Sequence, residues 1–311
     1  MKSRRAPRSL RAVSVRVPAS TSNCGAGFDT LGLALTLYNV VALQRIADPG
    51  VAAANGAVVP GLAMATEAAE MFFQRTGVAP FGCRFSVRGA VPMSRGLGSS
   101  VTLRAGIVAG LNELSGAGLA KPAVAAIVHA LEGHPDNATP AVLGGFCVGR
   151  SNPQTGELDG VVRRPIGREL VFVVAAPAQQ LETKESRGAL PKELPYFDAV
   201  RSINSASYVT AAFLSGEYDR LAHAVADFMH EPYRLPKIPG ARETISAGVA
   251  AGALTGWLSG SGSSVLCVAR AAKAATVARA MARSFSAAGV KCRVFKLHAD
   301  NTGLTIVARR R

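Results

Sequence analysis

An α+β fold is predicted for this chain from three features of its 311 residues. Strand-type alternation opens it, with Val13, Val15 and Val17 separated by polar or basic side chains. Apolar residues at helical spacing recur in the middle and near the end, over Lys121 to Leu131 and Ala271 to Ser286. Toward the C-terminus a helix lies between strands joined by links of mostly hairpin length, the pattern of an α+β sandwich.

Taken in order, the first strand should stop at Pro18, because proline cannot donate to a ladder. PASTSNCGAGFDTLGLAL, Pro18 to Leu35, then reads as a polar loop turning back into the core, and Asp29 beside Asn23 marks it as a binding loop. Leu35 to Leu43 reads as a strand, Thr66 to Arg75 as an amphipathic helix and Cys83 to Val91 as a strand. Gly133 and Pro135 stop the helix that begins at Lys121. EGHPDN, Glu132 to Asn137, packs two acids, a histidine and an amide together; alone it is equally a solvated helix cap. NPQTGE, Asn152 to Glu157, is a turn and the expected domain boundary. Leu170 to Ala175 is a buried-type strand, Ala199 to Leu214 and Glu217 to Met229 are helices, and His230 to Gly240 is a proline-punctuated loop carrying Arg234. GALTGWLSGSGSS, Gly252 to Ser264, leads into Val265 to Val268, and Val290 to Leu297 and Leu304 to Val307 alternate as strands.

The most informative stretch is PMSRGLGSSVTLRAGIVAGL, Pro92 to Leu111. Gly96 and Gly98 let the backbone approach an anion closely, and Ser99 and Ser100 open a helix whose Val101, Ala105, Val108 and Leu111 share a face. A glycine-serine loop feeding a helix N-terminus aims unpaired N–H groups at whatever sits in the loop, which suits phosphate. Read locally, the same residues also make an ordinary strand-to-helix turn with a serine N-cap. They are not a Walker A loop, which ends in Gly-Lys-Ser/Thr.

Composition narrows the function class. Hydrophobic residues make up 49% and charged residues 18%, and no apolar run is long enough to span a membrane. Five scattered cysteines without CxxC spacing fit reduced thiols in a cytoplasmic protein, and the histidines form no HExxH pair, so zinc is not expected. The formal charge is +15, much of it at the ends: Lys2, Arg4, Arg5, Arg8 and Arg11 at one, Arg309, Arg310 and Arg311 at the other. A flexible basic tail over residues 1–12 accounts for part of that charge. Nucleic acid is a weaker reading, because aromatics are 6% of residues and none interleave with the cluster.

Six segments in order resemble the GHMP kinase superfamily. PASTSNCGAGFDTLGLAL looks like its first motif, PMSRGLGSS its second and GALTGWLSGSGSS its third, while EGHPDN, TKESR with ALP, and Arg234 to Gly240 look like markers of a homoserine-specific branch. Ala26 and Ser263 stand where the superfamily usually carries proline, and Val101-Thr102 replace a small pair, changes that remove no polar group.

The resemblance implies a two-domain fold, ribosomal protein S5 domain 2-like over residues 13–155 and ferredoxin-like over 156–311, with the active site between. It implies ATP on Pro92, Met93, Ser94, Arg95, Gly96, Leu97, Gly98, Ser99 and Ser100 and on Ser259, Gly260, Ser261 and Gly262. Mg²⁺ would be held by Ser100 and Glu132, and L-homoserine by Asn23, Asp29, His134, Asn137, Arg187 and Arg234. The implied reaction is ATP-dependent phosphorylation of homoserine in threonine biosynthesis, with Thr183, Asn137 and Arg187 as catalytic residues and no strong base. Asp136 is the residue that would contradict that. Another small alcohol, mevalonate-like or sugar-like, is the alternative acceptor, and a homodimer is allowed but not indicated by the residues.

Overall fold

The computed structural model describes residues 10–54, 61–181 and 183–310. A seven-stranded sheet holds the first half of the chain. β1 (Ala12–Ser22) and β2 (Leu31–Ile46) form its long central hairpin, β4 (Gly82–Gly89) pairs the far side of β2, and β3 (Val51–Ala53) lies parallel to β4. β1 does not end at Pro18. The register shifts there, Pro18 facing Tyr38 and Ala19 facing Leu35, so the residue without an N–H falls at a bulge and the strand runs on. That extension puts the hydroxyls of Ser20, Thr21 and Ser22 beside the cleft described below.

The turn expected to part the chain is the tip of a hairpin instead. Asn152 N–H donates to Glu157 O at 2.8 Å, between β5 (Phe146–Ser151) and β6 (Leu158–Arg164). β5 pairs with the Leu31–Leu33 end of β2, and β11 (Thr305–Arg310) returns from the end of the chain to pair with β1. Strands of the first sheet therefore lie beyond residue 155. Of the expected basic tail, residues 1–9 lie outside the described residues, whereas Arg11 is already paired, its N–H donating to Arg310 O at 2.8 Å.

A second, wholly antiparallel sheet runs β10 (Cys292–Leu297), β7 (Leu170–Pro177), β9 (Val265–Arg270), β8 (Thr255–Leu258). Helices α1 (Leu62–Thr76), α2 (Ser99–Ser115), α3 (Lys121–Glu132) and α4 (Pro135–Leu143) belong to the first half. α5 (Thr183–Gly188), α6 (Tyr196–Ser215), α7 (Glu231–Arg234), α8 (Ala241–Ala250) and α9 (Ala274–Ala287) belong to the second. The expected helix over Glu217 to Met229 is only a 3-10 turn, Tyr218–His223, and α8 was not foreseen. One apolar cluster fills each half, and a third joins them, packing Leu31, Leu33, Leu35 and Phe146 against Phe172, Phe213 and Trp257. All five cysteines are free, and among the described residues no helix is long and apolar enough to cross a membrane.

Candidate active site

α2 is the element that builds the site. Most of its length is buried, from Val101 to Leu111 and at Leu114, which fixes where its N-terminus points. Gly98 is its N-cap at φ 68°, no side chain caps it, and no acid stands in its first turn. The serine cap expected as the ordinary alternative is absent. The first-turn amides and the positive end of the helix dipole open toward a cleft of about 730 Å³ between the two sheets.

The glycines before α2 are needed for contact as well as turning. Gly96 has φ 69°, and a Cβ there would lie 1.9 Å from Ser259 O, so only glycine lets the second and third motifs touch backbone to backbone. Ser259 Oγ seals the contact, 2.7 Å from Gly96 O and 2.9 Å from Thr21 Oγ1, while Ser264 N–H donates to Arg95 O at 3.2 Å. Ser263, which replaces a proline of the superfamily pattern, donates to Gln179 O at 2.5 Å. Met93, Ser94, Arg95, Gly96, Gly98, Ser99, Ser100, Gly260 and Ser261 line the cleft; Pro92, Leu97, Ser259 and Gly262 do not. Arg95 spends its guanidinium on the carbonyls of Pro177, Met93 and Ala178, so it clamps the loop to β7. An anion-facing role for Arg95 has no support in this arrangement.

The expected acceptor residues gather at the other end of the cleft. Asn23, at φ 68°, accepts the Asp29 N–H at 3.0 Å and donates to Gly260 O at 3.1 Å, tying first motif to third. Asn137 is held by β1: Ser20 Oγ donates to its Oδ1 at 2.8 Å and its Nδ2 donates to Ser22 Oγ at 3.0 Å. His134 Nδ1 bonds Asp136 Oδ1. Burial pulls the His134 pKa down, but the carboxylates of Asp136, Asp29 and Glu132 outweigh it, so the net shift is upward and the imidazolium is favoured. Arg187 Nη2 lies 2.9 Å from Asp29 Oδ1.

Arg234 is 3% exposed, with only long contacts to Ser186 O at 3.4 Å and Gly260 O at 3.5 Å. Among the described residues no carboxylate lies within salt-bridge reach of it. Burial first, then the neighbouring Arg187, pull its pKa down to about 10. A buried guanidinium without a counterion, facing a cleft, is a site waiting for an anion.

Glu132 and Ser100 both line the cleft, and Arg104 Nη1 holds Glu132 Oε1 at 2.7 Å. A carboxylate and a hydroxyl are hard oxygen donors of the kind Mg²⁺ takes, so the residues fit that ion. Thr183 opens α5, and its side chain lies outside the described residues.

Three features were not read from the sequence. Met64, Val87, Val91, Met93 and Leu103 make one end of the cleft apolar, and their scatter over two helices, a strand and a loop leaves no local signal. The Phe28 ring lies under both arginines, 5.7 Å from Arg187 Cζ and 5.2 Å from Arg234 Cζ. His230, fully buried, donates from Nε2 to Gly25 O at 2.7 Å and stacks on Phe28 at 5.3 Å.

An uncapped helix terminus in a glycine-serine cleft between two α+β halves is the architecture of a small-molecule kinase, and the comparisons agree. The profile described as "GHMP kinases N terminal domain" matches residues 63–145, and "GHMP kinases C terminal" matches 209–287. The chain is 37% identical to the homoserine kinase of Moorella thermoacetica, over 94% of this chain and 99% of that one. It is 36% identical to the homoserine kinase of Synechococcus sp. CC9902, over 96% of each. The crystal structure of homoserine kinase from Cytophaga hutchinsonii superposes with a TM-score of 0.86 at 25% identity, covering 97% of this chain and 99% of that one. A mevalonate kinase structure, at 12% identity and a TM-score of 0.66, shares the fold alone. The chain belongs to the GHMP kinase family, in its homoserine kinase branch.

Proposed function

We propose that the protein transfers the γ-phosphoryl group of ATP to the side-chain hydroxyl of L-homoserine, giving O-phospho-L-homoserine and ADP, the phosphorylation step of threonine biosynthesis. The observation that carries this reading is Arg234, a buried cation with no protein counterion, set across one cleft from the open N-terminus of α2. An α-carboxylate satisfies the first and a triphosphate the second.

In this reading the adenine lies against Met64, Val87, Val91 and Leu103, and the phosphates lie on the backbone of Gly96 to Ser100. Ser100 and Glu132 would hold Mg²⁺, which neutralises phosphate charge when bound. Asp29 takes the α-ammonium, and Arg187 and Arg234 take the α-carboxylate. Phosphoryl transfer asks chiefly for alignment and charge stabilisation. Asn137, its amide locked between Ser20 and Ser22, orients the hydroxyl. The hydroxyl proton passes to the transferring phosphate, because Asp136 is engaged by His134 and a charged His134 accepts no proton. A cytoplasmic setting fits the five free thiols.

The test is steady-state kinetics of Arg234→Met. Losing the partner of a desolvated charge should raise the homoserine KM by about 10²-fold, with the ATP KM changed by no more than about twofold. An unchanged homoserine KM would reject the acceptor assignment.

A further inference from the structure

Asp29 and Arg187, which the function just proposed assigns to opposite ends of the amino acid, hold each other in the free protein at 2.9 Å. Neither can take a ligand ion without releasing the other. The surroundings make that release costly in a specific way. Asp29 shares its corner with His134 and Asp136, one ligating atom from each lying within 4.8 Å of the others, so a freed Asp29 stands beside a second carboxylate. Arg187 stands beside Arg234 over the same Phe28 ring, so a freed Arg187 adds to an unneutralised guanidinium. Like charges at such range disfavour one another.

We propose that Asp29 and Arg187 are an exchange pair that makes the acceptor site selective for zwitterions: an α-amino acid replaces their one ion pair with two. The ammonium goes to Asp29 and the carboxylate to Arg187 and Arg234. A ligand with only a carboxylate trades one pair for another and strands Asp29. One with only an ammonium strands Arg187. Both losses are local to the pair, so selectivity lies in the residues' prior engagement and not only in the contacts the bound ligand makes. This rests on the amino-acid reading of the site.

The pair gives a prediction of opposite sign for two ligands in one variant. Asp29→Asn releases Arg187 and removes the repelling carboxylate, and asparagine tolerates the left-handed backbone at φ 52°. Binding would be measured by calorimetry on the full chain with Mg²⁺ and a non-hydrolysable ATP analogue, using homoserine, 4-hydroxybutanoate and 3-aminopropan-1-ol. Asp29→Asn should weaken homoserine by about tenfold or more and tighten 4-hydroxybutanoate by about threefold, the range of a partly exposed ion pair. Arg187→Gln is the mirror variant and should tighten 3-aminopropan-1-ol while weakening homoserine. If both variants leave the single-charge ligands unchanged or bound more weakly, with melting temperature preserved, there is no exchange. Turnover of homoserine by the unmodified protein, recorded alongside, separates the two readings: zwitterion preference without phosphohomoserine rejects the reaction, and loss of the sign reversal rejects the exchange.

Discussion

His134 and Asp136 face each other at the start of α4, and their bond decides what either can do in the reaction. The pairing keeps His134 charged to higher pH than a free imidazole, which places a cation near the transferring phosphate and leaves Asp136 without a free role as base. Asp136→Asn keeps the shape and removes the charge. The variant should lose less than about 10³-fold in kcat, the range of a missing general base. The sign of its pH effect follows from the upward shift: the imidazolium form holds below the raised pKa, so losing Asp136 lowers that pKa and moves the alkaline limb of the kcat profile to lower pH. A larger loss in kcat, with no movement of that limb, would make Asp136 the base. The residue types of this corner were legible because Asp29, His134, Asn137 and Arg234 stand in loops and turns where no apolar period explains them. Their engagements were not. Asn23 bonds a residue 237 positions away and Asn137 bonds residues 115 and 117 positions away, and no local pattern encodes such partners.

At the scale of the element, the position of α2 depends on a buried bond at its first turn. Thr102 Oγ1 donates to Ser99 O at 2.7 Å and accepts from Asn39 Nδ2 at 2.9 Å, and Asn39 Oδ1 accepts the Val91 N–H at 3.3 Å. β2, the end of the β4 segment and the phosphate-facing helix are thereby joined through one hydroxyl. Thr102 is one of the departures from the superfamily pattern, and here it supplies the joint. Thr102→Val preserves volume and leaves the buried Asn39 amide unpaired, a cost of about 1–3 kcal/mol. Thermal denaturation should show that loss, and the ATP KM should rise while the homoserine KM stays put; an unmoved melting temperature would remove Thr102 from the account. α2 and α3 themselves were legible from spacing. The segment over 217–229 misled for a tertiary reason. Val225 packs so closely under the first motif that a Cβ on Gly25 would lie 2.3 Å from it, and Asp227 turns the chain by accepting the N–H groups of Met229, His230 and Glu231. Helical propensity there yields to those contacts.

Across the whole molecule the two halves are one folding unit, although motif order and turn chemistry suggested a cut after residue 155. The cut would strip β6 from β5 and β11 from β1, leaving two strand edges of the first sheet unpaired. It would also bare Leu31, Leu33, Leu35 and Phe146, whose partners Phe172, Phe213 and Trp257 all lie beyond it. Each such side chain stabilises by about 1.5–3 kcal/mol when fully buried. Together the four approach the entire 5–15 kcal/mol that typically separates folded from unfolded domains. A fragment of residues 1–155 is therefore expected to show no cooperative urea transition by circular dichroism. The full chain should unfold in one transition whose midpoint is the same by circular dichroism and by the fluorescence of Trp257, which sits at the junction. A fragment that unfolds cooperatively, or a full chain whose two probes separate, would mean that the halves are stable alone and that the cleft between them is held by contact rather than by a shared core.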